Sequence, residues 1–195
     1  MLAATGEARI FTDIDLPFDL DLLLVIAEYI LDKGFHLVIG DRTLPDSQYA
    51  TELRWQRRLA SRFFSVFVGK LVTGGFFDTQ CGLKGFRGDV AEALFRSARI
   101  DRFAFDVEII YLALKSRLDI KRIPVRLRNN DESSLRLFRD SRRMFLDVFR
   151  IKAHQMAGRY RSLESDALVS RDFAALRDEV LSREDPPRVP AKRVP

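Results

Sequence analysis

Between residues 8 and 41 the apolar pattern changes period twice. "ARIFTD" (8–13) is an apolar run of strand length. "FDLDLLLVIAEYILDKG" (18–34) repeats its apolar residues at helical spacing and stops at Gly34, and "HLVIGD" (36–41) is again strand-like. Strand, helix, strand in that order builds a parallel sheet, because parallel neighbours need a crossover that a helix supplies. The class is therefore α/β. The first strand arrives with almost nothing before it, so the units that normally flank it in such a sheet are expected to be missing from this chain.

Beyond residue 41 a polar loop, "RTLPDSQYA", leads into a long helical stretch from about Thr51 to Val72. "TGGFFDTQCGLKGFRGD" (73–89) is broken by glycines and reads as irregular. Helical patterns follow near 89–98 and 104–117, "IKRIPVRLR" (120–128) alternates like a strand, and 133–157 returns to helical spacing. From Gly158 the pattern weakens. A helix near 170–182 and a disordered, proline-rich end, "REDPPRVPAKRVP", are expected. Residues 1–157 thus form one domain and 158–195 a helical or disordered basic tail. At 195 residues, 47% of them hydrophobic, the chain can bury one sizeable core.

Several function classes drop out. No run approaches the roughly 18 consecutive apolar residues of a membrane span; "LLLVIAEYIL" is interrupted by Glu28 and flanked by Asp21 and Asp32. The N-terminal residues carry no secretory signal pattern. Cys81 is the single cysteine, which rules out an intrachain disulfide and suits a reducing cytoplasm. The net charge is +5, with 33 Lys and Arg, and Arg dominates. A basic surface suits nucleic acid, anionic lipid or a phosphorylated ligand, or reflects composition bias alone.

Four places could carry chemistry. Asp13 and Asp15 lie where the first strand ends, at the sheet edge where open α/β folds bind ligands. If the chain turns at Pro17, both can serve one divalent cation, Mg²⁺ or Mn²⁺; otherwise one of them caps the following helix. In "ELRWQRRLASRFF", Arg54, Arg57, Arg58, Ser61 and Arg62 share one helical face, which a multivalent anion would stabilise. Helix 133–152 repeats the theme, with Arg136, Arg139, Arg142, Arg143 and Arg150 among Leu135, Phe138, Phe145 and Phe149. Two such helices suit a membrane surface, or a core with solvated arginine faces. "FFDTQCGLKGF" offers Asp78, Gln80 and Lys84 among glycines, and "FAFDVEII" sets Asp106 and Glu108 in an apolar helix, as sugar ligands, a base, or helix-start charges. Cys81 reads as a small buried residue.

"FTDIDLP", "IGDR", "RRLASRFF", "DTQCGLKGF", "FAFDVEI", "IPVRL" and "SSLRLFRDSRRMFLDVFRI" stand in the order seen in the family 2 glycosyltransferases. Over residues 1–152 the chain resembles the branch that makes polyprenyl- or dolichyl-phosphate sugars, above all the dolichyl-phosphate β-glucosyltransferases. The resemblance implies a partial GT-A, Rossmann-like fold with a mostly parallel sheet and amphipathic helices, of which residues 1–157 are the C-terminal portion. It implies transfer of a hexose, glucose first, from a nucleotide diphosphate sugar such as UDP-glucose to a polyprenyl or dolichyl phosphate, in a peripheral protein on the cytoplasmic membrane face. Asp13 and Asp15 then match the metal-binding pair. Asp13, Asp78, Gln80, Lys84 and Glu108 fall on the donor side, and Arg42, Arg57, Arg58, Ser61 and Arg62 on the acceptor phosphate. Asp15, Arg58 and Asp106 take the catalytic positions.

The chain departs from that pattern in places. The family's opening strand, with a Pro-x-Tyr-Asn-Glu type motif, would lie before Met1, and Asp41 stands where a serine is usual. The C-terminal membrane helices of some relatives are expected to be missing from this chain, which would leave membrane contact to the amphipathic helices. Two other readings compete. "FTDID" with a later "VIGD" is similar to haloacid-dehalogenase-type phosphatases, although Leu16 and Pro17 replace their Gly-Thr. A non-catalytic module binding anionic membrane or nucleic acid is the third; the transferase reading expects no nucleic acid.

Overall fold

The structure is a computed structural model that describes residues 1–14, 17–49, 66–70, 72–75, 78–101, 104–127 and 137–160. Its elements are β1 (Ala8–Thr12), α1 (Asp21–Leu31), β2 (Leu37–Asp41), β3 (Gln48–Tyr49), β4 (Leu83–Arg87), α2 (Gly88–Ser97), α3 (Phe105–Lys115), β5 (Ile120–Pro124), β6 (Arg126–Leu127) and α4 (Leu137–Met156). Residues 66–70 are helical, in agreement with the helix expected there. The helix expected at 170–182 and the proline-rich end lie outside the described residues.

Four strands form one sheet in the order β1-β4-β2-β5. β1, β2 and β5 point the same way, as the strand, helix, strand reading requires, and β2 pairs with β5 in parallel. The segment read as irregular, 73–89, supplies β4, which runs the opposite way between β1 and β2. So three of four strands share a direction, while two of the three ladders are antiparallel. A second, two-stranded parallel sheet joins β3 to β6, and β3 lies within the loop expected after β2.

The faces of the sheet explain why β4 does not look like a strand. Leu83 packs with the α1 residues Leu22, Ile26, Tyr29 and Ile30 and with Val38, Ile123 and Val125. Gly85, on that same face, leaves room for Ile26: a Cβ there would stand 2.0 Å from the Ile26 Cγ2. Lys84 and Phe86 point to the other face. There Leu37 and Phe86 meet Val90 and Leu94 of α2, Val107 and Leu112 of α3, and Val148 and Ile151 of α4. Each such aliphatic side chain contributes about 1.5–3 kcal/mol on full burial, so helix packing rather than capping seats α1. Its N-cap is Leu20, with no side-chain cap hydrogen bond, which removes the helix-cap reading of the nearby aspartates from that position. Gly34, with φ of 71°, turns the chain back toward β2 as expected of a helix stop.

Candidate active site

β1 and β4 place the first two groups. The last β1 residue, Thr12, lies opposite Leu83, and the Asp13 N–H donates to the Gly82 carbonyl at 3.0 Å. The Asp13 carboxylate consequently rests directly on Gly82, where a Cβ would stand 1.7 Å from Oδ2. Only glycine fits beneath it. Lys84 is 1% exposed, and its Nζ donates to Asp106 Oδ1 at 2.6 Å and to the Cys81 carbonyl at 2.6 Å. It also lies 5.9 Å from the centre of the Phe11 ring. One ammonium therefore ties the turn before β4 to the first turn of α3.

Burial pushes the Asp106 carboxyl above its ordinary value; the Lys84 charge opposes this and the nearby Asp13 charge adds to it. A second ion pair flanks the first. Asp78 accepts from Arg42 through the backbone N–H at 2.7 Å, Nε at 2.9 Å and Nη2 at 2.7 Å. Burial alone would raise Asp78, but the Arg42 hydrogen bonds and charge, helped by Lys84, hold it below its ordinary value. Cys81, buried beside Asp78, has its thiol pushed up to about 12 by burial first and that carboxylate second, so it stays protonated and unreactive, as its sequence context suggests.

The sequence-based candidates thus divide. Asp13, Asp78, Lys84, Asp106 and Arg42 gather in one electrostatic cluster at the end of β1, and Gln80, half-buried, lies on the same turn. Arg42, assigned to the acceptor phosphate by resemblance, spends two guanidinium nitrogens on Asp78 and keeps 32% of its side chain exposed. Glu108 is not brought into the cluster. It is fully buried on the other side of α3, where Oε2 accepts from the backbone N–H groups of Arg99 at 2.9 Å and Ile100 at 2.8 Å, and Oε1 accepts from the Tyr160 hydroxyl. Asp15, Arg57, Arg58, Ser61 and Arg62 lie outside the described residues.

Sequence reasoning also missed a group. Asp41, fully buried at the end of β2, accepts from Arg122 Nε at 2.5 Å and from Thr43 at its N–H (2.7 Å) and Oγ1 (2.6 Å). The signal available was Asp41 itself, a carboxylate in place of the usual serine, whose cationic partner stands 81 residues away.

Comparison with curated proteins finds 37% identity over 123 residues to the dolichyl-phosphate β-glucosyltransferase of Dictyostelium discoideum, covering 63% of this chain and 38% of that one. The enzyme of that name from Drosophila melanogaster is 31% identical over 169 residues, 83% of this chain and 51% of its own. These likenesses support a family 2 glycosyltransferase of the dolichyl-phosphate glucosyltransferase type. The Homo sapiens member is 30% identical over 125 residues, 64% of this chain and 39% of its own. The chain therefore spans from 38% to 51% of the length of these family members. No family profile matches it. The mixed α/β sheet with helices on both faces agrees with the GT-A-like fold expected of the family.

Proposed function

We propose that the chain is the part of a hexosyltransferase that moves glucose from UDP-glucose to a polyprenyl or dolichyl phosphate. The observation that carries the reading is the seating of the Asp13 carboxylate on Gly82, beside the Lys84–Asp106 and Arg42–Asp78 pairs. Such a site can hold an anionic donor through its cations and a divalent ion through its carboxylates.

Among the described residues no three His, Cys, Asp or Glu side chains form a metal cage. Mg²⁺ and Mn²⁺ commonly bind one or two carboxylates and complete their shell with phosphate oxygens. Asp13 and Asp15 would hold the ion, whose charge would offset that of the leaving diphosphate. The acceptor phosphate is already ionised near neutral pH, so its attack needs little help from a general base. Arg42, with Arg57, Arg58, Ser61 and Arg62 on the acceptor side, would orient it, and direct displacement at an α-linked donor would give a β-linked product.

No helix among the described residues is long and apolar enough to cross a membrane. Contact with the cytoplasmic face of a membrane would rest on amphipathic helices: α4 exposes Leu146 (53%) and Phe149 (54%), and the Phe67 ring packs against Phe145 and Phe149. The decisive experiment is calorimetric titration with UDP-glucose, UDP-N-acetylglucosamine and GDP-mannose, with and without Mn²⁺. Mn²⁺-dependent binding of UDP-glucose, abolished in Asp13→Ala, is expected. Wild-type affinity in that variant would reject the metal assignment.

A further inference from the structure

The Asp41–Arg122 ion pair stands beside Arg42, which joins the cluster through Asp78. The chain leaves the sheet at Asp41, and successive side chains of a strand point to opposite faces. The Asp41 carboxylate goes to Arg122 on β5, whereas Arg42 goes to Asp78. Thr43 is tied to the same guanidinium, since its Oγ1 accepts from Arg122 Nη2 at 3.3 Å and donates to Asp41 Oδ1 at 2.6 Å. The far end of the turn is closed as well. The Ser47 hydroxyl donates to the Asp41 carbonyl at 2.6 Å and accepts from the Val125 N–H at 3.1 Å. Residues 41 and 43 are thus clamped by one arginine, and the peptide N–H between them, that of Arg42, is already on Asp78 at 2.7 Å.

We propose that Asp41 and Arg122 are positioning residues: their ion pair holds the turn after β2 in the arrangement that keeps the Arg42 guanidinium on Asp78, at the mouth of the phosphate-binding cluster. Arg suits this task because its planar fork spans two acceptors, here Asp41 and Thr43, which an ammonium holds less well. The substrate-facing part rests on the function proposed above; the effect on Arg42 does not. A pair acting only as a core staple would stabilise the fold and leave Arg42 where it is.

The test is side-chain NMR on the full chain, following hydrogen exchange at Arg42 Hε with Arg9 Hε as an internal reference. In Arg122→Ala, exchange at Arg42 should quicken by about tenfold or more, because local opening of the turn exposes it, while Arg9 stays unchanged. Arg122→Lys, which keeps the charge and loses the fork, should fall between; it also serves if the alanine variant folds poorly. Unchanged Arg42 exchange in a variant with a lowered Tm would reduce the pair to a staple and overturn the proposal. In the transfer assay, Arg122→Ala should raise the KM for a short-chain polyprenyl phosphate by about tenfold with a smaller change in kcat. Equal losses with donor and acceptor would remove the pair from substrate positioning. A wild-type chain inactive in that assay would count against the proposed function only, since the exchange measurement needs no substrate.

Discussion

Asp106 and Glu108 stand two residues apart on α3, and the molecule uses them in opposite ways. At 3.6 residues per turn they project roughly 200° apart, so one reaches the end of the sheet and the other the packed interior. Asp106 meets a single ammonium and the field of a second carboxylate, and it remains partly reachable, with 12% of its side chain exposed. Glu108 is sealed in. Two backbone N–H groups of the turn before α3 and the Tyr160 hydroxyl occupy its oxygens, which is what a buried carboxylate requires when its task is to hold structure. A partly exposed carboxylate paired with a side-chain charge can exchange that partner for a ligand more readily than one saturated by the backbone.

The sharpest way to break this contrast is to remove the counter-charge. Lys84→Met leaves Asp106 and the Cys81 carbonyl buried without their donor and should cost about 3–5 kcal/mol of stability in urea unfolding. A loss no larger than that of an ordinary surface substitution would mean the cluster is too wet to need Lys84. On the other side of α3, Glu108→Gln keeps the shape but weakens charge-assisted hydrogen bonds to Arg99 and Ile100. It should cost about 1.5–3 kcal/mol and leave UDP-glucose titration unchanged. Weakened donor binding at full stability would return Glu108 to the donor site.

Much of this was visible in the chain before its structure. β1, α1 and β2 follow from clean apolar periods, and Asp13, Asp78, Lys84 and Asp106 all come from the motifs that carry the family resemblance. β4 was hidden because it breaks the strand rules on both faces, with a buried lysine on one and a glycine hollowed out for Ile26 on the other. Glu108 was grouped with Asp106 because proximity in sequence says nothing of helical direction. The Asp41–Arg122 pair spans 81 residues, and no local pattern announces it. Local periodicity writes the elements plainly; partners brought together by the sheet are written nowhere in one stretch of sequence.

Acid unfolding distinguishes the carboxylates within the cluster. Asp78 is held below the ordinary aspartate value of 3.8, so the folded state binds its proton less readily than the unfolded chain. Its contribution is present above pH 3.8 and lost as the pH falls through the lowered folded-state value. Asp106 runs the other way: raised above 3.8, it favours folding at low pH, and that contribution is lost as the pH rises through its folded-state value. Asp78→Asn should therefore flatten the acid limb of a stability profile and Asp106→Asn should steepen it. Matching profiles for the two variants would show that the Arg42 and Lys84 pairs are interchangeable.

The smallest effect is expected at the far end of the Glu108 network. Tyr160 is buried, and burial together with its hydrogen bond to Glu108 raises its hydroxyl well above the ordinary tyrosine range, so it is a donor at any working pH. Its ring also lies 6.4 Å from that of Tyr111, at 63°. Tyr160→Phe keeps the ring and removes one of the hydrogen bonds to Glu108, while the Arg99 and Ile100 N–H groups still hold the other oxygen. A loss of about 0.5–1.5 kcal/mol is expected, with no change in the acid limb set by Asp78. A loss as large as that of Glu108→Gln would make Tyr160 the main anchor of the carboxylate, and would mean that the segment after α4 helps build the interior side of α3.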